Sequence, residues 1–151
     1  MSILRNYLDL SKATVNAIKD YKAMKFIITN TSDDIKKRYE DMMGLRSPVY
    51  SELPKIRSSK SASEKISDAL ADVDMLKERY KQAVEYMAWF EPAWNELSDD
   101  ERFILDTFYL NETTKTEAVY LIMEEFSIER STAYRWKEKA IDHLSTLLYG
   151  K

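Results

Sequence analysis

Apolar side chains recur at helical spacings over most of the chain. From the N-terminus they fall at Leu4, Leu8, Val15, Ile18, Tyr21, Ile28, Ile35, Tyr39 and Met42. Separations of three, four and seven residues keep one narrow face apolar along a helix. The register slips near Ile18–Tyr21, and "TNTSDD" (Thr29–Asp34) offers a break, with Thr31 or Ser32 as cap and two aspartates in the following turn. Residues 1–43 therefore read as one long helix or as two nearly collinear ones, ending at Gly44. Unbroken, such a helix would be about 60 Å long, too long to bury in a small globule.

A second narrow stripe runs through Ile66, Leu70, Val73, Leu76, Tyr80, Val84, Met87, Phe90 and Trp94. It predicts another long helix over residues 64–97, disturbed near its end by Pro92. Two such helices bury their stripes against each other as an antiparallel, coiled-coil-like hairpin, within one chain or across a dimer. Residues 98–151 read as a separate helical domain. Ser98 and Glu101 match a capping box ahead of Phe103, Ile104 and Phe108. "LNETTKT" then interrupts, Thr114 or Thr116 caps a helix through Phe126, and a last helix starts near Arg130 or Ser131. No repeat and no strand-like run appears, so the predicted class is all-α.

Residues 44–63, "GLRSPVYSELPKIRSSKSAS", differ in composition. Two prolines block helix, serines cluster, and Arg46, Lys55, Arg57 and Lys60 face only Glu52. This is either a flexible linker or a basic arm that orders on phosphates. Charge is uneven elsewhere too. Residues 1–60 hold 12 Lys and Arg against 7 Asp and Glu, whereas residues 98–151 hold 7 against 11. The C-terminal domain is thus acidic, which argues against non-specific polyanion binding.

Candidate chemistry is sparse. There is no cysteine, His143 is the single histidine, and Gly44 and Gly150 are isolated. Those facts leave no thiolate metal site and no glycine-rich phosphate loop, and give a histidine metal site or a Ser-His-Asp triad little to work with. The expectation is a protein without cofactor or metal that is not an enzyme. Charges every few residues also deny the N-terminus a signal-peptide core or membrane span. With the absence of cysteine, this fits a cytoplasmic protein.

The last helix carries more information. Ala133, Trp136, Ala140, Leu144 and Leu147 or Leu148 form its expected inner face, against Val119, Ile122, Met123 and Phe126. The other face then presents Ser131, Tyr134, Arg135 and Glu138, flanked by Arg130 and Lys137. Two short helices joined by a three-residue turn, the second starting polar and basic, match helix-turn-helix geometry. Arginine suits bidentate contact with guanine, and hydroxyls suit phosphates or bases. Arg130, Ser131, Thr132, Tyr134 and Arg135 are the candidates for base or nearby contacts, and Lys137 and Lys139 for the DNA backbone. Arg46, Lys55, Arg57 and Lys60 are the candidate phosphate contacts of the linker.

"LIMEEFSIERSTAYRWKEKAIDHL" resembles the second and third helices of a sigma-factor region 4-type helix-turn-helix. Ile122, Phe126, Ile128, Thr132, Ala133, Tyr134, Arg135, Ala140, Ile141 and Leu144 fall in step with that pattern. Upstream, "DDERFILDTFYL" is similar to the same family's preceding helix. The departures are Met123 where the family prefers Ala, Ser127 for the turn glycine, and Glu129 for the capping serine, leaving Ser131 as the expected cap. The layout of two long helices, a basic Ser/Pro linker and a C-terminal helix-turn-helix resembles the small late-transcription regulators of Gram-positive phages, of the ArpU and RinA kind. The resemblance implies a regulator in a bacterial host's cytoplasm, binding duplex DNA in the major groove. The long helices would then set a homodimer or hold a partner. Two alternatives remain: a sigma-like module that contacts RNA polymerase or another protein, and a structural phage component such as a small terminase subunit.

Overall fold

The computed structural model describes residues 8–45 and 62–150, so Arg46, Lys55, Arg57 and Lys60 lie outside the described residues. Every described element is helical. In chain order they are α1 (Leu10–Leu45), α2 (Ala62–Glu96), α3 (Asp99–Leu105), a π-helical turn (Asp106–Leu110), α4 (Lys115–Phe126) and α5 (Arg130–Tyr149).

The first helix is unbroken from Leu10 onward. The expected cap at Thr31 or Ser32 does not form: the helix runs on through both, and the Thr31 hydroxyl donates to the Ile27 carbonyl at 2.5 Å. Thr29 and Asn30 likewise donate to Lys25 and Phe26, each at 2.9 Å. Side chains of this kind either cap a helix or bond back one turn, and here they bond back. Similarly, α2 continues through Pro92 to Glu96. Ala88 and Pro92 are both exposed, so the carbonyl that loses its partner at Pro92 can turn to water.

The chain divides into two compact units, residues 24–85 and the remainder, and α1 and α2 contribute to both. In the 24–85 unit the two helices run antiparallel: Asp34 and Arg38 lie beside Leu76, and Tyr39 and Met42 beside Leu70. Arg38 and Asp72 approach to 3.8 Å with both side chains about half exposed, a pair worth well under 1 kcal/mol. Among its described residues, Thr31, Met42, Val73 and Ala83 are buried, while Tyr39, Leu70, Tyr80 and Val84 from the predicted stripes remain exposed.

The other unit has two hydrophobic clusters. The first joins Ala17 and Ile18 of α1, Phe90, Ala93, Trp94 and Leu97 from α2 and its end, Leu105, Leu110, and Ala140, Ile141 and Leu144 of α5. At its centre Phe90 is fully buried, with its ring centroid 5.2 to 5.7 Å from those of Tyr86, Tyr21 and Trp94. Tyr86 donates its hydroxyl to the Ala17 carbonyl, and burial, with Asp20 nearby, pushes the phenol well above its ordinary pKa. The second cluster joins Ile104, Val119, Ile122 and Ala133, with Phe108, Phe126, Ile128, Tyr134 and Trp136 packed on it.

The π-helical turn lets neighbouring residues serve both clusters. Its signature bond runs from the Asn111 amide to the Asp106 carbonyl at 2.9 Å. Phe108 then points into the second cluster, whereas Tyr109 and Leu110 belong to the first. Lys22 of α1 fixes the end of this turn by donating to the Leu110 carbonyl at 2.5 Å.

Phe90→Ala should lower the stability of this unit by about 3–5 kcal/mol, since the aromatic centre would be left as a cavity. Tyr86→Phe should cost only about 1 kcal/mol, the net worth of one hydrogen bond. Urea unfolding followed by tryptophan fluorescence distinguishes the two; equal losses would contradict this assignment of the core.

Candidate nucleic-acid interface

Three short helices hold the candidate face. Capping boxes fix the starts of the first two. In α3 the Ser98 hydroxyl accepts from the Glu101 amide at 3.2 Å, and the Glu101 carboxylate accepts from the Ser98 amide at 3.1 Å. In α4 Thr114, not Thr116, is the cap, and it exchanges the same pair of bonds with Glu117 at 3.2 Å each.

The connection from α4 to α5 is Ser127–Glu129. Ser127 has φ 51° and ψ 50°, the left-handed conformation that glycine adopts freely and a residue with Cβ adopts at a cost of about 1 kcal/mol. The Ile128 amide reaches back to the Met123 carbonyl at 3.2 Å, and both side chains pack on the second cluster, the hallmarks of a Schellman-type helix end. Ser127 thus adopts the backbone for which the sequence pattern expects glycine. On the far side α5 begins at Arg130 with Glu129 at the N-cap position. No side chain caps it, so Ser131 is not the cap but lies inside the first turn.

The face that α5 buries is Ala133, Lys137, Ala140, Ile141, Leu144 and Ser145. Ala133, Ala140 and Leu144 are buried as expected, Trp136 and Leu148 are half-buried and pack on the second and first clusters, and Leu147 is exposed; the buried face is wider than expected, because Lys137 and Ile141 also turn inward. Of the candidate contacts, Arg130, Ser131, Arg135 and Lys139 are exposed, and Thr132 is half-buried. Ser131, Arg135 and Lys139 follow one another at four-residue steps along the outer side, and Arg130 sits at the helix start. Tyr134 is half-buried at the margin, with its ring 6.1 Å from that of Phe108. Lys137 departs from expectation. It is only 8% exposed, with its ammonium 5.1 Å from the Phe108 ring centre and 5.3 Å from that of Tyr134. A cation so placed is not presented to a DNA backbone.

Carboxylates share the outer surface. Glu138 and Asp142 lie exposed on α5, and Glu124, Glu125 and Glu129 are exposed close to the turn. Glu101 of α3 pairs with His143 of α5 at 2.7 Å, a cross-helix tie that the sequence spacing does not announce. Burial alone would raise the Glu101 pKa, but the bonds from His143 and Ser98 outweigh it and hold the carboxyl below its ordinary value of 4.5. Among the described residues no group of three or more His, Asp or Glu is arranged to hold a metal ion. Nor is any described helix long and apolar enough to cross a membrane.

No protein-family model, curated protein or solved structure matches the chain.

Ser127→Gly should raise stability by about 1 kcal/mol in thermal or urea unfolding, because it relieves the left-handed backbone. A loss instead would mean that the Ser127 side chain, not its φ, secures the turn. Glu101 binds a proton less readily folded than unfolded, so its stabilisation is full above the ordinary carboxylate value and fades as pH falls through the lower folded one. Glu101→Gln should therefore be less stable than wild type at neutral pH, with the difference closing in acid. A difference independent of pH would contradict the assigned shift.

Proposed function

We propose that this chain is a phage-type transcriptional regulator that binds duplex DNA, with α4, the Ser127 turn and α5 acting as a helix-turn-helix. The observation that carries the reading is the outer side of α5: its N-terminal half exposes Arg130, Ser131 and Arg135, with Lys139 one turn further on. In helix-turn-helix proteins this half of the second helix enters the major groove. The three-residue turn, with a left-handed first residue, supports the same geometry. The likeness to sigma-factor region 4 and to late-transcription regulators of Gram-positive phages adds late-gene control in a bacterial host's cytoplasm. The paired long helices are the expected oligomerisation element of a homodimer, and their exposed Tyr39, Leu70 and Val84 favour that role.

A second reading has its own support. Tyr120 and Leu121 of α4 are 62% and 43% exposed and are flanked by Glu117, Glu124 and Glu125. An outward face that is apolar and acidic suits a protein partner better than phosphate. On this reading the module contacts RNA polymerase or another protein. Retention of polymerase without retention of DNA would favour it.

Arg135→Ala should weaken binding to the duplex that the protein holds most tightly by about 1–3 kcal/mol and relax specificity at the contacted position. Fluorescence anisotropy on that duplex and on single-base variants measures both. Unchanged affinity and specificity would remove Arg135, and with it the centre of the proposed face.

A further inference from the structure

Lys137 is the cation that the proposed function leaves without a task. Its ammonium lies 5.1 Å from the ring centre of Phe108, 5.3 Å from that of Tyr134 and 3.4 Å from the Glu138 carboxylate. Glu138 is 60% exposed on the outer side of α5, while the Lys137 side chain is 10% exposed. One buried cation therefore touches two things that matter at the proposed DNA face: an aromatic candidate contact and an acidic neighbour of Arg135.

Each contact has a physical consequence. A cation over two aromatic faces is attracted to both quadrupoles, most strongly where water is excluded. Such an ammonium holds the Tyr134 ring against Phe108 and so restricts where the phenol can reach. Pairing with Glu138 offsets a negative charge on the side of α5 that would otherwise repel phosphates. The π-helical turn contributes directly, because it aims Phe108 at the lysine while its neighbours face the other cluster.

We infer that Lys137 is a positioning residue for the DNA face: from inside the fold it orients Tyr134 and neutralises Glu138. This rests on the DNA reading of α5, and two measurements keep the inference separable from it. The first uses free, full-length protein with ring-labelled tyrosine. Lys137→Met keeps the aliphatic stem and removes the charge, so it should shift the Tyr134 ring resonances and speed ring flipping, while Lys137→Arg restores both. Unmoved Tyr134 resonances would overturn the orienting role, whatever the protein binds.

The second measures affinity for the preferred duplex across a salt series. Lys137→Met should weaken binding about three- to tenfold with no change in the salt slope, and Glu138→Gln in the same chain should recover part of the loss. A slope reduced by about one would mean that Lys137 meets a phosphate directly, and an unchanged affinity would mean that the pairing does not serve the face; either overturns the inference. If wild-type protein retained no duplex, the DNA reading would fall, and with it the role given to Glu138 neutralisation.

Discussion

Burial of one stripe of α5 decides which of its side chains meet solvent, and the proposed activity depends on that choice. Ala133 seats the N-terminal half on the second cluster, and Ala140, Ile141 and Leu144 seat the C-terminal half on the first. Two small residues on the inner side allow close approach, and the larger pair fills the space beyond them. With that side fixed, Ser131, Arg135 and Lys139 must face out, and Lys137 must face in. A rotation of one residue would exchange these roles.

Two backbone devices set up the packing. The left-handed Ser127 turns α5 out of line with α4 while keeping Ile128 and Met123 on a shared cluster. The π-helical turn shifts register after α3, so Phe108 reaches one cluster and Leu110 the other. Both are departures from regular helix at points where two packing demands meet. Glu101 and His143 add a polar tie between α3 and α5 on the same unit.

Much of this was legible in the residue pattern. Periodicity alone identifies the all-α class, the long helix pair and the three short helices, because an apolar stripe at 3.6-residue spacing suits no other element. Caps were legible where local chemistry is unambiguous, as at Ser98 with Glu101. The cap read at Thr31 or Ser32 was not, since a hydroxyl serves equally as cap or as back-bonding donor, and only the surrounding packing selects. The width of the inner face of α5 was open for a related reason: Ala133, Trp136, Ala140 and Leu144 mark it, and only the packing extends it to Lys137 and Ile141. A lysine on that face looks like an error until two aromatic rings are found beside it. Phe108 belongs to a distant stretch of sequence, and its aim depends on a π-helical bond that leaves no mark in composition. The basic linker residues fall outside the described residues.

Electrostatics sharpen the functional question. The outer side of α5 mixes three exposed cations with Glu138 and Asp142, and α4 adds an acidic rim. On the proposed DNA reading, a surface of that balance would discriminate by geometry and by individual contacts, because it lacks the excess positive charge that drives non-specific attachment. The most direct measurement is sequencing of randomised duplex DNA retained by the full-length protein at near-physiological salt. The account predicts a compact enriched motif, palindromic if two copies read together, that is lost when Arg135 and Tyr134 are both replaced by alanine. Retention without enrichment, or no retention, would contradict it and leave α5 as a surface for a protein partner.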